Sequence, residues 1–226
     1  MECAFAAIHD GTMRTAFVES WAAGIVNGVF TSTIFIPNGP YIDAGRFGMA
    51  LEFLGPKGDG LDRLLPVDTD IKFTLDDVQR LHDLCDETTP VVSGVYIGKT
   101  SDGHHPLVYR LADDVTDPVN EPSRSMFEAI PAEKLTAGQG LVEAQAVGLG
   151  FCMYHRSFVE ESIERWRATG GPWAERWITH DGVGVHVGED LSFGTRLWEM
   201  GLTVLVDTDV QVPHMKNVTL VTAQIV

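Results

Sequence analysis

The chain is short of positive charge and of thiols, and it has no long apolar run. Only 16 Lys and Arg stand against 32 Asp and Glu, which gives a net charge of -16 and a pI near 4.7. So acidic a chain repels phosphate backbones and anionic lipid surfaces, which argues against either as its general partner. Its three cysteines, Cys3, Cys85 and Cys152, are odd in number and show no Cys-Xaa-Xaa-Cys spacing. That argues against a disulfide framework or a thiolate zinc site, and predicts reduced, mostly buried thiols in a cytoplasmic protein. No stretch approaches the roughly 18 apolar residues of a membrane span, and no basic segment precedes an apolar one at the N-terminus. No Gly-Xaa-Gly-Xaa-Xaa-Gly follows the first apolar run, so a dinucleotide cofactor is not expected.

The 226 residues, 44% of them hydrophobic, are enough for one sizeable domain with a full core. The first ninety alternate between two periodicities. Cys3 to Ile8, Thr31 to Ile36 and the run through Leu64, Leu65 and Val67 read as buried strands. Between them, a helix over 14–28 has Phe17, Trp21, Ile25 and, just past its end, Val29 four apart, and Ile42 to Leu54 is a second helical stretch, with Asp43 near its start. Strand, helix, strand, helix, strand implies a parallel nucleotide-binding half. Its third strand ends in Asp68-Thr69-Asp70, where open α/β sheets bind ligands. Two carboxylates so close repel unless a cation joins them. The bland alternative is a turn, which Asp favours. A helix follows, with Thr74 and Asp77 spaced as a capping box.

The second part is mixed. Val91 to Ile97, Leu107 to Leu111, Gly140 to Val147 and Gly150 to His155 read as strands, and Ser157 with Glu160 as the start of a helix. Gly94 to Thr100 imitates a phosphate-binding loop one residue short, but its glycines lie inside a strand and no helix follows, so it is rejected. A loop rich in Trp, His and Gly runs from Thr169 to Val187. Trp173 and Trp177 in it suit either sugar stacking or, by default, the core. Gly188-Glu189-Asp190 opens a helix over 191–200 that Gly201 stops. A second acidic triplet, Asp207-Thr208-Asp209, reads as a turn between two short strands.

In this order, Asp68-Thr69-Asp70, Gly148-Leu149-Gly150-Phe151, Gly188-Glu189-Asp190 and Val212-Pro213-His214 resemble a small single-domain glycosyltransferase of the A-type fold, similar to bacteriophage-encoded members. The resemblance implies an α/β fold with a mixed central sheet, a nucleotide-binding half over 1–90, an acceptor half over 91–214 and a tail over 215–226. It implies that Asp68, Asp70 and His214 hold Mn²⁺ or Mg²⁺, the imidazole suiting Mn²⁺ better. Thr12, Asp43, Arg46, Asp68 and Lys216 would face the nucleotide-sugar donor, expected to be a UDP-sugar. Where members carry Arg-Asn, this chain reads Arg46-Phe47. Asp190 would be the general base, with Glu189 beside it. Both acids would equally suit a helix N-terminus for electrostatic reasons alone. The acceptor would be a hydroxyl on a glycan, a protein or a modified nucleobase. Two rivals are a nucleotidyltransferase, for which His9 to Arg14 makes a poor phosphate loop, and a silent nucleotide-sugar or glycan-binding module.

Overall fold

The computed structural model describes residues 2–9, 12–37, 41–100, 103–118, 126–180 and 183–213. Residues 38–40, His214, Lys216 and the tail lie outside these residues. Strand β1 (Cys3–His9), helix α1 (Thr15–Val26), strand β2 (Phe30–Pro37), helix α2 (Ile42–Leu54) and strand β3 (Arg63–Pro66) follow one another. Strand β1 pairs in parallel with both β2 and β3. Cys3 to Ala7 are fully buried because β1 is covered on both faces, and the two faces alternate. Ala4 and Ala6 join the core beneath α2; Cys3, Phe5 and Ala7 join the one beneath α1 and helix α3 (Leu75–Leu84).

Strand β4 (Val91–Thr100) turns back through β5 (Gly103–Pro106). Strands β6 (Val108–Leu111), β7 (Phe127–Ala129), β8 (Leu141–Ala144) and β9 (Ala146–Val147) follow, then β10 (Cys152–His155), helix α4 (Arg156–Trp166), β11 (Arg176–His180), β12 (Val183–Val187), helix α5 (Glu189–Glu199) and β13 (Val204–Pro213). The central sheet runs β2-β1-β3-β10-β4-β13-β8, with β5 paired to β4. Strand β10 is antiparallel to both neighbours, so the sheet is mixed, as the sequence predicts. Strands β7-β6-β9 form a small separate sheet, and β11-β12 a hairpin. Among the described residues no helix is long and apolar enough to cross a membrane.

Several local expectations are met. Helix α2 has the bounds read from the sequence, and Thr74 and Asp77 form a reciprocal capping box on α3. The three thiols are buried and free, and burial pushes each up to about 12. The glycines of the false phosphate loop lie within β4 for packing reasons. A Cβ on Gly94 would stand 2.5 Å from Val210, and one on Gly98 2.6 Å from Leu107.

Others are corrected. Helix α1 buries Phe17, Ser20 and Gly24 and leaves Ile25 exposed. The Phe30 ring occupies the space beside Gly24, and Ser20 Oγ donates to Phe73 O at 2.6 Å. Gly140 to Val147 is two strands in two sheets, broken at Gln145, whose side chain accepts from the Leu111 N–H. Helix α4 is capped by His155, which accepts from Ser157 N, and not by Ser157. The loop from Thr169 to Val187 contains the β11-β12 hairpin. Trp173, by contrast, takes its default place in the core, 1% exposed and stacked on Phe193 at 6.0 Å; the side chain of Trp177 lies outside the described residues.

Asp207 and Asp209 are not a turn either. They sit in β13 and share Arg80 of α3, whose Nε and a terminal nitrogen reach Asp207 at 2.9 and 3.0 Å and Asp209 at 2.7 Å. Asp207 is buried, so Arg80→Ala strands a carboxylate that keeps the donation from the Asp209 N–H. Arg80 itself is half-exposed, which screens the pair. The expected loss is about 2 kcal/mol in urea unfolding.

Candidate functional site

The 68–70 turn leaves the sheet where β3 ends. Val67 bridges to Phe151, and Asp68 N donates to Gly150 O at 3.0 Å, so the turn is tied to the Gly148-Leu149-Gly150 segment. Ile71 N then closes the turn on Asp68 O at 3.1 Å. The Asp68 side chain is about a quarter exposed, and its Oδ1 lies 3.6 Å from an Arg46 terminal nitrogen. That distance is an ion pair without a good hydrogen bond.

Arg46 comes from α2 and is 4% exposed. Its other terminal nitrogen donates to Leu149 O at 3.0 Å, while the buried Nε has no hydrogen-bond partner among the described residues. Burial alone would lower its pKa. Asp68, then Asp190, Tyr154 and Glu189, reverse that and keep the guanidinium charged. The next residue, Phe47, packs against Gly171, where a Cβ would come within 2.6 Å of the ring.

Asp190 arrives from the far half of the chain on the first turn of α5. Helix α5 is fixed by its buried polar residues. Arg196 donates to Pro172 O and Ala174 O at 2.6 and 2.8 Å, and Ser192 Oγ donates to Val187 O at 2.9 Å. Gly194 lies against Ala146, with no room for a Cβ. Asp190 Oδ1 accepts from Leu149 N at 3.2 Å, so Leu149 presents its C=O to Arg46 and its N–H to Asp190. Burial pushes the Asp190 carboxyl up to about 7. Arg46 opposes that shift, Glu189 and Asp68 add to it, and the Leu149 N–H opposes it.

Asp68, Arg46, Glu189 and Asp190 line one cleft of about 150 Å³, together with Tyr96 and Leu107. Sequence reasoning missed Tyr96. Its ring lies against Gly148 and Gly150, where a Cβ would stand 2.5 Å from ring carbons in each case. Burial, then Asp68, Asp70 and Asp190, hold its phenol well above the ordinary value. Nothing in an apolar strand marks such a tyrosine; the glycines of the 148–150 segment were the available signal.

Thr12 and Asp70 line a second cleft of about 110 Å³ with Arg14 and Thr69, closed on one side by Arg14 N donating to Thr69 O at 3.1 Å. The two acids of the triplet therefore line different clefts. Asp43 Oδ1 accepts from Ala44 N at 2.7 Å at the start of α2, and Asp43 lines neither cleft. His186 pairs with Glu175 at 2.7 Å across the base of the hairpin. His214 and Lys216 lie outside the described residues.

Among the described residues no group of three or more His, Cys, Asp or Glu side chains is arranged to hold a metal ion. The donor chemistry of Asp68 and Asp70 nevertheless fits a hard divalent cation, which takes carboxylate oxygens and keeps water in its remaining positions. The absent side chain at Gly150 matters here, since a Cβ would lie 2.9 Å from Asp68 Oδ2 and crowd that oxygen.

Comparison with known proteins gives a fold. The structure of A197 from STIV matches over 96% of this chain and 87% of its own, with a TM-score of 0.61 and 18% identity. GalNAc-T7 with UDP, GalNAc and Mn²⁺ matches over 95% of this chain and 38% of its own, at TM-score 0.49 and 14% identity. A glycosyltransferase involved in the glycosylation of the major capsid of PBCV-1 matches over 94% and 93%, at 0.45 and 12%. Neither of these two carries weight at such scores. No protein-family model and no curated protein matches the sequence. What is shared with A197 is the α/β architecture on a mixed central sheet.

Proposed function

We propose that the chain is a metal-dependent glycosyltransferase that moves a sugar from a nucleotide-sugar donor, a UDP-sugar, to a hydroxyl acceptor. One observation carries the reading: a cleft in which Asp68 at the sheet edge and Asp190 on α5 both act on Arg46, although they come from opposite halves of the chain. A nucleotide-binding half over 1–90 meeting an acceptor half over 91–214 is the arrangement such a transfer needs.

Asp68 and Asp70 would hold Mn²⁺ or Mg²⁺ on the donor diphosphate, with His214 as third ligand. When bound, the ion supplies Lewis-acid neutralisation of charge on the departing nucleoside diphosphate. The chain's own residues do the rest. Asp190 takes the proton from the acceptor hydroxyl as that oxygen attacks the sugar, and a carboxyl held near 7 is matched to the task at neutral pH. Glu189 increases the proton affinity of Asp190 and would hold the acceptor or assist. Thr12, which lines a cleft with Asp70, would face the donor, as would Asp43 and Lys216. Arg46 points inward to Leu149 and Asp68, so it acts by holding those two together and less by direct contact with phosphate.

Asp70→Ala tests the metal assignment. Calorimetry with Mn²⁺ and UDP should show affinity reduced by at least about tenfold, with the circular dichroism spectrum unchanged. Full affinity in the variant would remove the cation from Asp68-Thr69-Asp70.

A further inference from the structure

The wall of the larger cleft carries charge of predominantly one sign. Asp68, Glu189 and Asp190 line it, and the remainder is apolar surface, glycine and Tyr96, apart from Arg46. Arg46 is the one cationic side chain among the described lining residues, and it is committed elsewhere. One terminal nitrogen donates to Leu149 O at 3.0 Å, the other lies 3.6 Å from Asp68, and the Nε is buried. With 4% of its surface exposed, Arg46 has little guanidinium left to offer a second anion.

A divalent cation on the donor diphosphate would offset Asp68 together with Asp70. Glu189 and Asp190 do not belong to that pair; they stand on the first turn of α5 and keep their charge. The N-terminus of α5 offsets only about half a unit of it. The space is also small. At about 150 Å³ the cleft lies below the roughly 300 Å³ at which drug-sized sites begin, so it takes a single sugar ring. A carboxylate on that ring would stand close to these acids wherever it pointed, and salt screens such a partly buried repulsion poorly. Hydroxyl groups meet no such obstacle, because each can donate to a carboxylate.

We infer that the cleft selects by charge: the group transferred is a single neutral sugar ring, and a uronic acid is refused by repulsion from Glu189 and Asp190. The inference rests on the proposed glycosyltransferase reading and deepens it by naming the substrate class. Discrimination of this kind comes from a repulsive element, not from an added contact. The test is calorimetry in Mn²⁺ at pH 8, where Asp190, pushed up to about 7, is ionised. The ligands are UDP and two pairs of donors that differ only at C6: UDP-glucose against UDP-glucuronate, and UDP-galactose against UDP-galacturonate. In the pair whose neutral member binds more tightly, that member should exceed its uronate by at least about tenfold. Glu189→Gln removes one of the two charges and keeps the shape, so it should narrow the ratio by about threefold or more. A wild-type ratio within about twofold overturns the inference. So does a ratio that Glu189→Gln leaves unchanged, which would mean exclusion by shape. Binding of UDP itself is read separately: its absence in Mn²⁺ removes the parent reading, whereas normal UDP binding with equal affinities in each pair removes this inference alone.

Discussion

Asp190→Asn is expected to lower the rate of sugar transfer by about 10²–10⁴-fold while Mn²⁺-dependent UDP binding stays at the wild-type level. Asparagine keeps the shape and can still accept from the Leu149 N–H, but it cannot take a proton. The same substitution has a second, opposite signature in stability. The folded carboxyl is raised to about 7 from an ordinary 3.8, so the native chain holds this proton more tightly than the unfolded one. The cost of ionising it in the fold therefore grows between about pH 4 and about 7 and is complete above that. Asp190→Asn should resist urea better than wild type at pH 8, and the advantage should shrink as pH falls towards 4. Turnover of the wild-type protein should rise with pH through the same region, and that inflection should vanish in the variant. Equal turnover in both proteins would reduce Asp190 to a helix N-terminal acid.

Arg46→Met is the second large effect. Methionine fills much of the same space, but it removes the positive charge that Asp68 and Asp190 share and frees Leu149 O. Stranding buried carboxylates in this way costs about 3–5 kcal/mol. Arg46 opposes the upward shift of Asp190, so its loss raises that carboxyl further. An Asp190 that holds its proton more tightly is less costly at low pH, so the loss should be smaller at pH 5 than at pH 8. The pH at which turnover rises should also move upward. Urea melts at the two pH values measure the first effect; an equal loss at both would mean that Arg46 serves packing and not charge. Arg46→Lys should recover part of the stability at pH 8, although one ammonium cannot reproduce both contacts of the guanidinium.

What could be read from the sequence was whatever local chemistry decides. The Thr74 and Asp77 capping box, the limits of α2 and the buried run of β1 depend on neighbours within a few residues, and all are observed. Asp68 and Asp190 were legible as acids at the ends of elements, and the fold brings them into one cleft. What could not be read depends on distant partners. Asp207 looks like a turn residue until α3 supplies Arg80. Trp173 reads as core by default with sugar stacking as the alternative, and only the distant rings of Phe193 and Tyr154 decide between them, for the core. The Ile25 stripe on α1 loses to Ser20 and Gly24 because the aromatic cluster of Phe5, Phe30 and Phe73 takes up the volume there. The resemblance puts Arg46 towards the donor, but its bond to the backbone of Leu149, about a hundred residues on, could not be read locally.

The most direct measurement is of products. The wild-type chain with Mn²⁺, a panel of nucleotide sugars and hydroxyl acceptors should release free UDP, and chelation of the metal should stop the release. Pyrophosphate released from a nucleoside triphosphate and a sugar phosphate would mean nucleotidyl transfer instead. Binding of nucleotide sugars with no product of either kind would leave a recognition module without chemistry, and either result would contradict the assignment of Asp190 as a base.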